Sequence, residues 1–176
     1  MNGHPGGAEH TRRLLALADL PAGARILDMG AGAGEAVLLA RQLGYAAEGI
    51  DLAPRSDLVA QGDLLCTPYA DGSFDAVLSQ CAFFLSEDVP AALREARRLL
   101  RPGGSLLLSD VFFVPPEPLL TAAGFALRYR ENMTEQWRDY YLEALWRGEE
   151  PCCELPRGKC EYWLLIGERR EYDGSV

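Results

Sequence analysis

The residues of this chain best suited to ligand chemistry are a glycine-rich turn and two carboxylates near it. Glycine and alanine alternate over residues 30–34, after an apolar run that contains Asp28 and before a helical pattern that begins at Glu35. Residues without side-chain bulk at a strand-to-helix turn let the backbone approach a ligand at the helix N-terminus. Asp51 ends the next apolar run, 23 residues after Asp28, where a carboxylate can accept hydrogen bonds from both ribose hydroxyls. The pattern predicts a site for a ligand that contains a nucleoside.

Two classes of ligand use such a turn, and the details favour one of them. A dinucleotide site requires G-x-G-x-x-G, but here the third glycine comes one position early and Glu35 stands in its place. The carboxylate of Asp28 would also repel a pyrophosphate. S-adenosylmethionine, in contrast, carries an ammonium and a sulfonium and no phosphate. The sequence therefore favours S-adenosylmethionine, with a nicotinamide cofactor as the alternative.

The elements that position these residues alternate between strand and helix. We predict helices at residues 9–20, 35–43, 88–101, 119–123 and 134–147, and strands at residues 25–29, 46–52, 58–59, 74–82, 105–113, 124–131 and 161–168. Such alternation with nearly continuous apolar strands is typical of a parallel sheet covered by helices on both faces. Residues 1–176 are predicted to form a single domain. Its N-terminal arm, residues 1–8, is expected to be flexible or to cover the cofactor.

Residues 25–110 resemble the class I S-adenosylmethionine-dependent methyltransferases, and most closely their type 11 (ubiquinone/menaquinone-biosynthesis-like) branch. Residues 28–34 are similar to motif I of that family, and residues 62–63 to its adenine-contacting turn. Residues 68–77 resemble the family's Pro-Phe-x-Asp-x-Ser-Phe-Asp segment, and residues 93–104 resemble the helix and turn before its fifth strand. The resemblance implies an α/β, Rossmann-like class I methyltransferase fold. That fold is a seven-stranded mixed sheet in the order 3-2-1-4-5-7-6, flanked by helices, with only the last strand antiparallel.

The resemblance also implies roles for single residues in binding S-adenosylmethionine. Asp28 would help to hold the ammonium group, Asp51 would bind the ribose hydroxyls, and Asp63 would accept a hydrogen bond from the adenine amino group. Ser79 and Gln80, at the end of the fourth strand, would line the methyl-donor pocket. The remaining expected contacts are backbone groups of the glycine turn and apolar side chains beside the adenine, namely Gly30, Ala31, Gly32, Gly34, Leu52 and Leu64.

Methyl transfer from a sulfonium needs few catalytic groups from the protein, because the leaving group is already activated. The reaction is an in-line displacement that depends on positioning and desolvation. A general base is needed only where the acceptor keeps a proton of high pKa. No catalytic residue is assigned, and the candidates are Asp110 and Gln80, which lie at strand ends beside the predicted site. We expect a small-molecule acceptor in a mainly apolar pocket between residues 80–84, Asp110 and the arm at residues 4–7.

Composition restricts the partners of this chain. Its 17 Lys and Arg residues against 26 Asp and Glu residues give a formal net charge of -9, which makes a nucleic-acid partner improbable. No stretch contains the roughly 20 consecutive apolar residues that cross a bilayer. The first residues also lack the pattern of a signal peptide. We therefore expect a cytoplasmic protein without a membrane partner.

Three of the five cysteines, Cys152, Cys153 and Cys160, lie close together in the sequence. Three thiolates can hold a soft metal or a metalloid, as in some arsenic methyltransferases. Two adjacent cysteines without a Cys-x-x-Cys pair are not a typical metal-binding pattern, however. An odd number of cysteines without a secretory signal indicates free thiols in a reducing compartment. We predict no metal site and keep this thiol cluster as an alternative.

Two segments are shorter than the resemblance leads us to expect. Only twelve residues lead from Asp51 to Asp63, too few for the full helix usually found there. The segment after Phe113 is short where relatives often carry a substrate-covering lid. Such a site is open, or it is closed by a protein partner or by the second copy of a homodimer. Two alternatives to catalysed methyl transfer remain: a nucleotide-binding oxidoreductase on the same scaffold, and a cofactor-binding sensor or partner subunit without chemistry.

Overall fold

The computed structural model describes residues 4–149 and 156–171 of the chain. These residues form a seven-stranded sheet flanked by helices. The helices are α1 (Gly7–Ala18), α2 (Glu35–Gln42), α3 (Val89–Leu99), α4 (Pro116–Ala122) and α5 (Thr134–Arg147), with a short 3₁₀ turn at Phe84–Ser86. The strands are β1 (Arg25–Met29), β2 (Ala46–Asp51), β3 (Ala60–Gln61), β4 (Phe74–Gln80), β5 (Leu100–Phe112), β6 (Phe125–Asn132) and β7 (Glu161–Arg169).

The strand order is β3-β2-β1-β4-β5-β7-β6. Strands β1 to β5 pair in parallel, whereas β7 lies antiparallel to both of its neighbours, β5 and β6. The predicted order and the predicted single antiparallel strand are both confirmed. The chain order reverses at β1, which has β2 on one side and β4 on the other. Ligands of open α/β sheets bind in the crevice at such a reversal, outside the carboxyl ends of the strands.

The two faces of the sheet carry separate apolar cores. On one face, α1, α2 and α5 bury side chains such as Leu14 and Trp137 against the strands. On the other face, α3 buries side chains such as Leu93. Strand β1 contributes Ile26 to the first core and Leu27 to the second, as alternation along a strand requires. The central strands are thus buried on both faces, which explains their nearly continuous apolar sequence.

Helix α3 begins where the sequence predicts and ends earlier. The Asp88 side chain accepts a hydrogen bond of 2.9 Å from the Ala91 N–H and so caps the first turn. The helix ends at Leu99, because the chain enters β5 at Leu100 rather than at residue 105. The predicted turn therefore lies inside an irregular start of β5, where the pairing with β4 shifts its register.

Two other boundaries bear on the site. Helix α1 begins at Gly7, so residues 7 and 8 of the predicted arm are helical, and residues 4–6 are its described remainder. Strand β3 is the dipeptide Ala60–Gln61 rather than residues 58–59. The described chain has no helix between β2 and β3, as the short spacing from Asp51 to Asp63 predicts.

Candidate functional site

The glycine-rich turn after β1 lies at the crevice and depends on its glycines. The Gly30 N–H donates a hydrogen bond of 2.9 Å to the Ile50 carbonyl, which holds the turn against β2. Gly30, Gly32 and Gly34 have positive φ angles of 85°, 55° and 81°, a region that other residues rarely adopt. At Gly30 the space is also closed, because a Cβ would lie 2.2 Å from the Ala82 Cβ. Packing within the protein therefore requires glycine at position 30, and the approach of this backbone to a ligand stays a prediction.

Asp51 fastens the end of β2 to the glycine turn. Its Oδ2 accepts a hydrogen bond of 2.9 Å from the Gly32 N–H. Its Oδ1 accepts one of 2.9 Å from the Ala53 N–H. The same carboxylate lies in the wall of a cavity of about 360 Å³, so it faces both the turn and the open crevice.

This cavity is the larger of two that meet at Gly30, and we call it the larger cavity. It contains most of the residues that the sequence assigns to an adenosine. Asp63 lies in its wall, with Oδ1 accepting a hydrogen bond of 2.8 Å from the Leu65 N–H. Leu52 and Leu85 are more than half exposed there, so a ligand in the cavity would bury their apolar surface. The full lining is Gly30, Asp51, Leu52, residues 62–65, Ala82 and residues 85–87.

A smaller cavity, about 70 Å³, adjoins the same turn and also touches Gly30. Its acidic residues are Asp28 and Glu35. Asp28 is only 4% exposed, and this burial, together with the negative charge of Asp51, raises the pKa of Asp28 to about 7. A cation bound beside Asp28 would favour its ionised form. The remaining lining is His4, residues 30–33, Ala36, Arg55 and Gln80.

Arg55 is a residue of this site that the sequence analysis missed. Its backbone N–H donates a hydrogen bond of 2.9 Å to the Gly32 carbonyl. Its guanidinium lies across that glycine, where a Cβ on Gly32 would be 2.6 Å from Nη2. The smaller cavity therefore has an arginine in its wall in addition to two carboxylates. The available signal was a cationic residue four positions after Asp51, in the short segment that replaces a helix.

The arm and the end of β4 are joined by hydrogen bonds of their side chains. The Thr11 hydroxyl donates to Gln80 Oε1 at 2.9 Å, and Gln80 Nε2 donates to Ser109 Oγ at 3.4 Å. The His4 ring lies between them, with Nε2 at 3.1 Å from Thr11 Oγ1 and Nδ1 at 3.3 Å from Gln80 Nε2. Burial lowers the pKa of His4, which favours the neutral ring. The arm thus lies against the smaller cavity.

Ser79 lies beneath the crevice rather than in the lining of either cavity. Its side chain is fully buried, and Oγ donates a hydrogen bond of 2.8 Å to the Met29 carbonyl. The bond ties the carboxyl ends of β1 and β4 together. The contact that the structure gives Ser79 is therefore structural.

Asp110 is buried at the end of β5 and accepts hydrogen bonds from the backbone. Its Oδ2 accepts from the N–H groups of Phe83 and Phe84, at 2.8 and 3.4 Å, and Oδ1 accepts from Val111 at 2.8 Å. Burial raises the pKa of Asp110 to about 7, although these N–H groups oppose the rise. The carboxyl group holds the turn that follows β4.

The thiol alternative lies largely outside the described residues, because Cys152 and Cys153 belong to the segment 150–155. Cys160 is buried and contributes to a different cavity of about 440 Å³, beside Arg138 and Lys159. Its burial raises the pKa of the thiol. Over residues 4–149 and 156–171, no group of three or more histidine, cysteine or acidic side chains could hold a metal ion. Among the same residues, no helix is long and apolar enough to span a membrane.

Comparisons with known proteins place this arrangement in a family. Residues 27–108 match a family described as a methyltransferase domain. An arsenite methyltransferase of Aquipseudomonas alcaligenes is 35% identical over 115 residues, which cover 51% of this chain and 33% of that protein. A demethylmenaquinone methyltransferase of Thermus thermophilus is 34% identical over 135 residues, covering 68% of this chain and 59% of that protein. The chain thus spans less than two thirds of the length of either relative.

The fold is also that of solved methyltransferases. A phosphoethanolamine N-methyltransferase of Haemonchus contortus, solved with S-adenosyl-L-methionine, aligns with a TM-score of 0.76. It is 18% identical, and the alignment covers 96% of this chain and 54% of that one. At this identity the likeness concerns the fold alone. The matches lend no support to the nicotinamide alternative.

The family match, the sheet order and the motif order agree with one another. They confirm the predicted family, the predicted fold and S-adenosylmethionine as the predicted cofactor, whereas the roles of single site residues stay predictions. Residues 27–108 of the chain form a methyltransferase domain of the type 11 family, within the class I S-adenosylmethionine-dependent methyltransferases.

Proposed function

We propose that the protein transfers a methyl group from S-adenosylmethionine to a small-molecule acceptor by in-line displacement. The observation that carries this proposal is the pair of cavities that meet at Gly30. One has apolar flanks and the carboxylates Asp51 and Asp63, and the other is lined by Asp28 and Arg55 among its charged residues. These chemistries fit the two halves of the cofactor, an adenosine and a zwitterionic methionine chain.

The larger cavity is assigned to the adenosine. A carboxylate has about four lone-pair sites, so Asp51 can accept from the ribose hydroxyls while it keeps its bonds to Gly32 and Ala53. Asp63 accepts from the adenine amino group in this assignment. The side chains of Leu52 and Leu64 lie on the flanks of the base.

The smaller cavity is assigned to the methionine chain. Asp28 binds the ammonium group, and Arg55 binds the carboxylate through its guanidinium. The glycine turn lies between them, and its glycines let Ala82 and Arg55 pack directly against the backbone of Gly30 and Gly32. The proposed pairing uses Asp28 and Arg55 of the charged residues in this cavity and leaves Glu35 without an assigned contact.

When it is bound, S-adenosylmethionine supplies a methyl group on a sulfonium that is already a good leaving group. The chain's own residues then position the reactants and exclude water. Gln80 is proposed to orient the acceptor beside the donor, and the arm with His4 closes this side of the crevice. Because burial keeps the His4 ring neutral, the ring does not repel the sulfonium.

We place the acceptor between residues 80–84 and the arm, as the sequence predicts, at the carboxyl ends of β4 and β5. Asp110 acts there as a positioning residue, since its oxygens hold the N–H groups of Phe83 and Phe84. The bond from Thr11 to Gln80 spans this position. The His4 ring of the arm also contacts Gln80, so entry of the acceptor requires the arm to move aside and to return before transfer.

The same edge of the sheet carries exposed apolar side chains, including Leu85 and Phe113, each more than half exposed. We propose that a protein partner or a second copy of the chain covers them during turnover. The expected location is the cytoplasm, where the free thiols stay reduced. Neither a nucleic acid nor a membrane is proposed as a partner.

Two measurements test the proposed function. Isothermal titration should show binding of S-adenosylmethionine and S-adenosylhomocysteine, and no binding of NAD. Incubation with methyl-labelled S-adenosylmethionine and a fractionated metabolite extract should then move the label into a small molecule. Preferential binding of NAD would overturn the assignment. If the cofactor binds tightly but no fraction receives the label, the proposal of an enzyme is rejected in favour of a cofactor-binding sensor or partner subunit.

A further inference from the structure

A second groove, about 550 Å³ in volume, lies away from the two cavities of the crevice. It is formed by the second half of α3, the turn after α4 and the end of β7. Helix α3 returns to the start of β5, and β7 runs against the parallel strands, so these segments meet at the amino edge of the parallel strands. We call it the arginine groove because five arginines line it: Arg94, Arg97, Arg98, Arg169 and Arg170.

The charge of the arginine groove is opposite to that of the chain. The whole protein has a formal net charge of -9 and only 17 Lys and Arg residues. Five of them line this groove, against two acidic residues, Asp71 and Glu171. A cationic site on an acidic protein is a local feature that overall composition does not explain.

Two of these five arginines, Arg98 and Arg169, make hydrogen bonds within the protein. Arg98 donates hydrogen bonds of 2.8 and 2.7 Å to Glu95 and of 2.6 Å to Asp71, and these acids raise its pKa further. Arg169 donates to the Leu100 carbonyl. Both guanidinium groups are thus committed to the fold.

Arg94 and Arg170 are different. Both are exposed, and within residues 4–149 and 156–171 their guanidinium groups have no hydrogen bond or ion pair. Arginines in the last turn of a helix are favoured by the helix dipole, which accounts for Arg97 and Arg98 at the end of α3. It does not account for Arg94, which lies further from the helix end, or for Arg170, which follows β7.

We propose that the arginine groove is a second ligand site, which binds a small anion that carries a diphosphate group. The guanidinium fork pairs with phosphate oxygens through two parallel hydrogen bonds. The groove volume lies in the range of about 300–1,000 Å³ that is usual for small-molecule sites. The negative charge of the rest of the chain opposes a long nucleic-acid strand, which would extend beyond the groove. The site lies away from the donor cavities, so it serves a ligand other than the cofactor.

Isothermal titration of the whole chain with inorganic pyrophosphate tests this site. The double variant Arg94→Gln with Arg170→Gln is expected to bind pyrophosphate at least about tenfold more weakly. The matched control is Arg12→Gln with Arg138→Gln, which removes two exposed arginines outside the groove and should keep the wild-type affinity. Saturation with S-adenosylhomocysteine should leave pyrophosphate binding unchanged.

Three results of these pyrophosphate titrations would overturn the proposal. The first is no binding of pyrophosphate by the wild-type chain, and the second is an equal loss of affinity in both double variants. The third is displacement of pyrophosphate by S-adenosylhomocysteine, because the anion would then occupy the crevice. A short single-stranded oligonucleotide serves as a separate probe. If the oligonucleotide binds through Arg94 and Arg170 and pyrophosphate does not compete with it, the groove is a nucleic-acid surface and the small-ligand proposal fails.

Discussion

The Gly32 N–H donates a hydrogen bond of 2.9 Å to Oδ2 of Asp51. The bond joins the end of β2 to the glycine turn after β1, across the point where the strand order reverses. The other oxygen of the same carboxylate accepts from the Ala53 N–H. One side chain thus fixes the path of the turn and also faces the larger cavity. Binding of a ribose and the shape of the turn are therefore coupled through Asp51.

Replacing Asp51 by alanine should weaken binding of S-adenosylmethionine by at least tenfold. The variant loses bonds from the ribose hydroxyls to a charged acceptor, each worth about 1.5–3 kcal/mol. It also leaves the N–H groups of Gly32 and Ala53 without their acceptor, so a modest fall in the melting temperature should accompany the loss. Isothermal titration and thermal unfolding measure the two effects.

Asp51→Asn separates these two effects. The amide oxygen can still accept one backbone hydrogen bond, so most of the stability should return while the cofactor affinity stays low. An alanine variant that binds the cofactor with wild-type affinity would contradict the assignment of Asp51 to the ribose.

Arg55→Ala should weaken binding of S-adenosylmethionine by about tenfold or more, because the methionine carboxylate loses its guanidinium partner. Decarboxylated S-adenosylmethionine lacks that carboxylate, so its affinity should be similar for the variant and the wild type. Isothermal titration of both ligands against both proteins forms a double-mutant cycle. Arg12→Ala is the matched control, since Arg12 is exposed on α1 and outside both cavities.

The double-mutant cycle also separates a failure of the assignment of Arg55 from a failure of the proposed function. If Arg55→Ala lowers the affinity for both ligands equally, Arg55 acts on the fold of the turn and not on the carboxylate. If the wild type binds neither ligand, the proposed function itself fails, whatever the variant does.

Asp28 should make both stability and cofactor binding depend on pH. Its pKa in the folded, ligand-free protein is about 7, raised from the usual value of 3.8 by burial and by Asp51. Between about pH 4 and pH 7 the folded chain therefore keeps a proton that the unfolded chain has released, and stability falls as the pH rises. Asp28→Asn should therefore raise the melting temperature more at about pH 8 than at about pH 5.

Binding of the cofactor should reverse this effect at Asp28. The bound ammonium favours the ionised carboxylate and lowers its pKa, so binding near neutral pH should release a proton from the wild type. Titrations in buffers with different ionisation enthalpies measure that proton. If the Asp28→Asn variant releases the same number of protons on binding, another group is responsible for the release. Asp110 is then the first residue to examine, because its pKa is also raised to about 7.

The sequence was sufficient for the parts of this site that repeat a strand-turn-helix pattern. Gly30 and Asp51 stand out in the sequence because one follows a strand and the other ends one, whereas Asp63 is implied by the family resemblance. The order of buried strands predicts the edge at which they meet. The family resemblance assigns Ser79 to the donor pocket. It could not show that Oγ is directed to the Met29 carbonyl, since the direction of a side chain at a strand end depends on its neighbour strand.

Contacts between distant segments were beyond the sequence for the same reason. Arg55 reaches Gly32 across 23 residues of chain, and His4 reaches Gln80 across 76. Neither spacing nor composition indicates the first contact, and the expectation that residues 4–7 lie beside residues 80–84 does not include the bond between His4 and Gln80. The arginine groove is a similar case, because α3 and the end of β7 become neighbours only after the last strand has inserted between β5 and β6.

The last prediction concerns the side from which the acceptor approaches. Gln80 lies in the wall of the smaller cavity and is bonded to Thr11 of α1, whereas Cys160 contributes to a separate cavity with Arg138 and Lys159. Once an acceptor is known, Gln80→Ala should lower kcat by about tenfold or more through lost positioning. The triple variant Cys152→Ser, Cys153→Ser and Cys160→Ser should keep the wild-type rate.

Steady-state methyl transfer and cofactor titration together distinguish an acceptor pocket beside Gln80 from one beside the cysteines. Gln80→Ala should retain most of its affinity for S-adenosylhomocysteine, because the proposed polar contacts with the cofactor are made by Asp28, Asp51 and Arg55, and this separates a positioning role from damage to the donor site. Thr11→Val is the companion variant: it removes the hydroxyl that holds Gln80 and should reduce kcat less than the loss of Gln80 itself. If the triple cysteine variant is inactive and Gln80→Ala is not impaired, the acceptor binds at the thiols, and the pocket beside Gln80 is wrong.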